Sequence, residues 1–450
     1  MAGAAAGDGP AYEDALAWLY GRQRLGVQLG LEKVDRLLAR LGDPQHAYNV
    51  VHVAGTNGKG SVTRMLAQAL RNAGHRVGLT TSPHLVAFTE RIETDRPITR
   101  QEVADGLARI RPHVEALDAE GAHCTFFEVV TALAFVHFRD RGVEWAVVET
   151  GMGGRLDATN VVRPRLTIIT NVDLDHQQAL GGTVGEIAWE KSGIMKPGVP
   201  CVTAARGEAL LVLKARSHEL SVPMSIVGED YRVVPDERLH RLILLRPNGE
   251  SHYDVGLAGA HQLENAAVTL AAVEALRAQG VPVPERALRQ ALALTRHPGR
   301  LELFRVPVTA AGDTGDGQEA EVLVDGAHNP AAARAVASHL RASGWSGIDL
   351  VCGFCRDKDW PEVLATWAPF VDRVWAVPIR NGRSLPPAHA VEAARALGLH
   401  AAERAGVAQA LEAAVAAGAD RILVAGSLFL AGEARAHLTG VGVEEIRGSQ

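Results

Sequence analysis

A chain of 450 residues exceeds what one hydrophobic core commonly serves, so two units of roughly 150 to 300 residues are expected. Hydrophobic residues make up 47% and charged residues 22%, a globular composition that excludes extended disorder. The formal net charge of -6 supplies no basic field for nucleic acid or an anionic membrane, so any bound phosphate must be met by a local site.

In chain order, Met1 to Pro10 has neither the basic start nor the apolar core of a signal peptide, and no run reaches the ~18 to 20 apolar residues of a membrane helix. A cytoplasmic monomer without membrane or nucleic-acid partners is expected. Apolar runs with the look of buried strands follow at Tyr48 to Ala54, Arg76 to Thr81, Glu144 to Thr150, Leu166 to Thr170 and Val199 to Ala204. Between them, Val62 to Asn72 and Gln101 to Ala116 repeat apolar residues three or four apart, as helices do. This alternation predicts an α/β fold with a doubly wound, mostly parallel sheet.

From Tyr231 to Val255 a shorter alternation, broken by Pro235, Pro247, Asn248 and Gly249, predicts a small antiparallel element. Turn residues at Arg296 to Arg300 and a polar, Gly-rich insertion from Ala310 to Ala320 precede a second series: strand Glu321 to Val324, helix Pro330 to Ala342, and strands Ile348 to Cys352, Arg373 to Val377 and Arg421 to Ala425. A boundary near residue 300 is expected, giving a P-loop-type domain over 1–298 and a smaller Rossmann-like α/β domain over 299–450. Cys124, Cys201, Cys352 and Cys355 are too few and scattered for a disulfide framework, and the C-x-x-C at 352–355 lacks the second pair a zinc site needs.

The strongest local signal is Val53-Ala54-Gly55-Thr56-Asn57-Gly58-Lys59-Gly60-Ser61, between a strand and a helix. Small residues let backbone N–H groups turn around phosphate oxygens, the helix N-terminus adds positive potential, and Lys59 adds a point charge. Val53 stands where G-x-x-x-x-G-K-[ST] has its first Gly, and Gly60 separates Lys59 from Ser61. The alternative is a glycine turn that merely closes a strand onto a helix. Ser61, Ser82 and Glu149, at three neighbouring strand exits, are oxygen donors suited to Mg2+.

Gly55 to Ser61 resembles the nucleotide loop of the Mur ligase superfamily, particularly its folate branch, the dihydrofolate and folylpolyglutamate synthases. Thr81-Ser82-Pro83-His84-Leu85, Glu149 to Asn160, Asp173-Leu174-Asp175-His176, Glu190 to Ile194, His297-Pro298-Gly299-Arg300 and Asp325 to Pro330 match that family in its order, from Tyr12 to about residue 360. The last ninety residues match only in strand and helix pattern.

The resemblance implies an ATP site at Thr56, Asn57, Gly58, Lys59, Gly60 and Ser61, with Asn265 for adenine, Arg300 for phosphate and Asp325 for ribose. It implies two Mg2+ ions, the second held by His176 with Glu149 and Ser82, and a carbamylated Lys191 able to hold metal. From the residues alone, His176 reads rather as a loop histidine and Lys191 as a solvated pair with Glu190, while Arg300 also suits a hinge ion pair and Asp325 and Asn329 suit helix caps. His328 falls at a strand exit and is expected to help close the site.

For the pterin or folate side, the resemblance implies Val27, Gln28, Leu29 and Gly30, then Thr125, Phe126, Phe127 and Glu128, then Leu156, Asp157 and Ala158. An aromatic beside a carboxylate suits a pterin, although one of Phe126 and Phe127 reads equally as helix core. The implied reaction activates a carboxylate by ATP to an acyl phosphate that L-glutamate's amine then displaces. Dihydropteroate and reduced folates are the implied acids. A synthase for folates alone is the runner-up, and a regulatory P-loop NTPase is the alternative from another class, weakened by the absence of N-K-x-D.

Overall fold

The computed structural model describes residues 10–26, 28, 30–246, 249–307 and 319–442. Val27 and Leu29 lie outside the described residues, as does most of the 310–320 insertion.

Seven strands build the first sheet: β1 (Asn49–Ala54), β2 (Val77–Thr80), β3 (Ile92–Glu93), β4 (Trp145–Glu149), β5 (Pro164–Ile169), β6 (Cys201–Thr203) and β7 (Met224–Ile226). Their order is β3-β2-β4-β1-β5-β6-β7, parallel throughout except for β3 at one edge. Both faces are covered, which is why these strands read as mostly apolar runs. Val51 and Val53 point to one face, against helices Lys59–Asn72, Ala260–Ala278 and Glu285–Leu294, while Val50 points to the other, against Arg100–Ala119 and Phe126–Asp140.

Strands β8 (Val233–Asp236), β9 (Arg241–Arg246) and β10 (Gly249–Asp254) form the expected antiparallel element. Pro235 does not break it. It sits within β8, opposite Leu242, where an edge strand tolerates a missing N–H.

The second sheet comprises β11 (Glu302–Pro307), β12 (Glu319–Val324), β13 (Ile348–Cys352), β14 (Val371–Ala376), β15 (His400–Glu403) and β16 (Arg421–Ala425) in the order β11-β12-β16-β13-β14-β15, with only β11 antiparallel. Helices Pro330–Ala342, Trp360–Trp367 and Pro387–Ala396 cover one face, and Val407–Ala416 and Leu428–Thr439 the other. The fold is thus α/β with two mostly parallel sheets. Cys352 and Cys355 are free thiols buried in this unit. No described helix is long and apolar enough to cross a membrane.

The halves interlock at one loop. Leu85 and Val86, which follow β2 of the first sheet, are buried in the apolar cluster of the second. Gly432 admits them: a Cβ there would lie 2.0 Å from the Leu85 carbonyl oxygen.

Candidate active site

The C-terminal ends of both parallel sheets open onto a cavity of about 720 Å³, where doubly wound sheets place ligands. The first wall is the loop from β1. Gly55 (φ 151°) passes Thr170 so closely that a Cβ would lie 1.8 Å from Thr170 Oγ1, and at Gly58 (φ 82°) a Cβ would lie 2.2 Å from Asn265 Oδ1. Only glycine meets both demands. The Asn57 amide donates to Asn171 Oδ1 at 2.8 Å and Thr56 Oγ1 donates to the Asp173 carbonyl at 3.0 Å, so the loop is tied to the exit of β5. Lys59, at the helix start, donates to the carbonyls of Gly55 and Thr56 at 3.1 and 3.2 Å.

Lys191 does not pair with Glu190 in solvent. Its side chain is buried and Nζ donates to the Gly55 carbonyl at 2.9 Å, while Glu190 pairs with Arg155 at 2.8 Å. Burial, helped by the Lys59 charge, brings the Lys191 amine down to about 7. Glu149, at the end of β4, is pushed up to about 7 by burial, against the pull of Lys59; its Oε2 accepts the Ser82 amide at 3.2 Å. Ser82 Oγ is buried with no hydrogen-bond partner, and Ser61 Oγ lies 3.1 Å from His297 Nδ1.

A buried carboxylate beside an unpartnered hydroxyl fits a hard cation that takes few protein ligands and keeps its phosphates and waters. No group of three or more His, Cys, Asp or Glu among the described residues forms a self-sufficient metal cage. His176 adopts the left-handed conformation (φ 51°), and burial lowers its imidazole to about 4.

The second sheet contributes side chains. Asp325, after β12, accepts the amides of Leu301 and Ala327 at 2.8 and 2.7 Å. His328 Nδ1 is 2.8 Å from the Gly326 carbonyl, and burial lowers the ring to about 4. Asn329 caps its helix, with Oδ1 accepting from Ala332 N at 2.9 Å, and its Nδ2 reaches Asn57 and Asp175 of the first unit at 3.4 and 3.3 Å. Arg300 lines the cavity and forms no ion pair among the described residues. Asn265 donates to Gln262 at 2.9 Å.

At the far end, Phe126 is stacked on Tyr20 with ring centroids 5.4 Å apart, and the Arg91 guanidinium lies 5.4 Å from the centroid of the Phe126 ring. Phe127 covers Gly151, where a Cβ would lie 2.6 Å from the ring. Thr125 and Glu128 form a capping box for this helix; Glu128 Oε2 accepts the Thr125 amide at 2.6 Å and Oε1 is buried without a partner. Asp157 accepts the Met152 amide at 2.8 Å and the Thr159 amide at 3.0 Å. Gln28, Gly30, Leu156 and Ala158 also line this end.

Arg91 and Lys358, which the sequence did not single out, belong to the cavity with His84 and Asp175. Arg91 donates to His84 Nδ1 at 2.7 Å, leaving Arg91 Nη1 and His84 Nε2 buried and unpartnered. Lys358 bonds Asp175 across the seam at 2.7 Å; although burial alone pushes Asp175 up, Lys358 and the neighbouring histidines hold it well below the usual carboxylate range. Lys358 follows the C-x-x-C that drew attention to its neighbours.

The sequence matches two family models in succession: the Mur ligase middle domain over residues 53–273 and the Mur ligase glutamate ligase domain over residues 309–428. Fold, loop and family models together define an ATP-dependent ligase. A dihydrofolate synthase/folylpolyglutamate synthase of Bacillus subtilis is 36% identical over 364 residues, 79% of this chain and 82% of that protein. A Mycobacterium tuberculosis folylpolyglutamate synthase complexed with ADP superposes with TM-score 0.85 at 30% identity, covering 97% of this chain and 100% of that one. E. coli FolC in complex with DHPP and ADP gives TM-score 0.83 at 29% identity over 97% and 99% of the two chains. The chain belongs to the dihydrofolate synthase/folylpolyglutamate synthase family of the Mur ligase superfamily.

Proposed function

We propose that the protein joins L-glutamate to dihydropteroate, forming dihydrofolate, and adds further glutamates to reduced folates. The observation that carries this reading is the single cavity that runs from the phosphate loop, past buried Glu149 and Ser82, to the aromatic wall at Phe126 and Phe127. We place the division between the units at 298/299, so that Arg300 reaches the cavity from the start of the second.

ATP lies with its phosphates on residues 56–61, adenine by Asn265 and ribose by Asp325; Lys59 and Arg300 balance the charge of the transferring phosphoryl group. Ser61, Ser82, Glu149 and His176 are the residues to hold two Mg2+ ions. Bound there, Mg2+ neutralises phosphate charge. The lowered amine of Lys191 is partly unprotonated near neutrality, the form that reacts with carbon dioxide to give a carbamate, so the cation becomes an anion suited to metal. The pterin lies against the wall that Phe126 and Phe127 build, with Asp157 Oδ2 as an acceptor, Thr125 and Glu128 holding the helix end, and Gln28, Gly30 and residues 156–158 beside it.

The acid's carboxylate oxygen attacks the γ-phosphorus, ADP departs, and glutamate's amine then attacks the acyl carbon and expels phosphate. His328 helps close the cavity over this intermediate, keeping water away.

Phosphate release from ATP with Mg2+ and glutamate is the test, run with dihydropteroate, with tetrahydrofolate and with neither, products being checked by mass. A glutamate increment on both acids is expected. Product from the folate alone would restrict the enzyme to polyglutamylation, and acid-independent release would overturn the ligase reading for these substrates.

A further inference from the structure

One fully buried titratable side chain takes no part in the chemistry above. His52 lies in β1, aligned with Val148 of β4 and Thr167 of β5, in a strand whose other residues from Val50 to Ala54 are apolar. A polar ring in such a strand costs stability unless it is hydrogen-bonded. His52 Nε2 is 2.8 Å from Thr159 Oγ1, and Thr159 Oγ1 is 2.5 Å from Asp157 Oδ1. The other ring nitrogen, Nδ1, is buried without a partner.

The proton positions follow from the donors. Asp157 already receives the amides of Thr159 and Met152, so it is the acceptor of the short contact and the Thr159 hydroxyl proton points at it. A hydroxyl has one proton to give, so Thr159 Oγ1 accepts from His52, and the imidazole is the Nε2–H tautomer with a bare Nδ1. Burial lowers His52 to about 3, in keeping with a neutral ring.

We propose that His52 is a positioning residue for the acid-substrate pocket: its Nε2–H orients the Thr159 hydroxyl, which pins the Asp157 carboxylate and, through the Met152 amide, the turn under Phe127. The strand that opens into the phosphate loop is thereby tied through side chains to the aromatic wall. Phe127 rests directly on Gly151, so a turn that loses its anchor displaces the ring that the substrate meets. The substrate half of this inference rests on the pterin reading of the pocket; the relay itself does not.

The test uses the full chain with His52→Leu, which removes the donor, His52→Gln, which retains an N–H donor, and Thr159→Val, which removes the hydroxyl at similar volume. Loss of one net hydrogen bond is expected to speed hydrogen exchange at the Met152 and Thr159 amides in His52→Leu and Thr159→Val about tenfold beyond any change at the most protected core amides. KM for dihydropteroate should rise about tenfold while KM for ATP stays within about twofold, and His52→Gln should recover most of both effects. Unchanged exchange at the two amides, or equal losses for both substrates that glutamine does not rescue, would overturn the proposal. If His52→Leu does not fold, the Thr159→Val exchange decides it alone. A wild-type enzyme indifferent to dihydropteroate would refute the substrate reading while the exchange data still judged the relay.

Discussion

The two sheets bring different materials to one cavity. The first supplies backbone: amides and carbonyls of residues 55–61, fixed by glycines that no side chain can replace, with Glu149 and Lys191 buried behind them. The second supplies side chains: Asn329 and Lys358 bond across the seam, and Arg300 and His328 line the cavity beside them. The difference teaches that the loop's fixed backbone rests on contacts within the first unit, whereas the cavity is walled in only where the two units touch.

The comparison is broken most severely at the glycines. Gly55→Ala drives a Cβ into Thr170 Oγ1 at 1.8 Å in a conformation alanine disfavours, so ATP turnover should fall by a factor on the order of 10³, read as phosphate release. Gly326→Ala in the second unit meets the movable end of Leu428 at 2.3 Å and should cost no more than about tenfold.

Lys191 offers the next largest effect. Its folded pKa of about 7 lies below the ordinary 10.5, so the unfolded chain binds the extra proton between those values. In buffer free of carbon dioxide, the stability of the wild type relative to Lys191→Met should therefore rise with pH across that window, by up to about a few kcal/mol in urea titrations. Lys358→Met, which strands Asp175 at a seam where both side chains are mostly covered, should cost about 1 to 3 kcal/mol in the same assay. The smallest effect is on metal binding: Glu149, held at about 7, must lose its proton to serve Mg2+, so affinity for Mg2+ with ADP should rise about tenfold from about pH 6 to about pH 8 and lose that slope in Glu149→Gln.

The phosphate loop was legible in the sequence because its chemistry is local: glycines, a lysine and a helix start lie within nine residues. The buried strands were legible for a similar reason, being covered on both faces. Lys191 was legible only through the family resemblance, and its burial not at all, because its partner is the Gly55 carbonyl, 136 residues earlier, and its sequence neighbour Glu190 is claimed by Arg155. Arg91 and Lys358 escaped notice because each becomes informative only when the fold sets it against its partner, His84 or Asp175. Pro235 was read as a break because edge position in a sheet is invisible to periodicity.

The seating of Leu85 has a consequence for anyone who would dissect the enzyme. Expressed alone, residues 1–298 would carry Leu85 and Val86 into water at the tip of the very loop that presents Ser82, and the remainder would display an empty socket along Leu428–Thr439. Fragments cut there would be sticky rather than modular, and their natural remedy is to reassemble on each other.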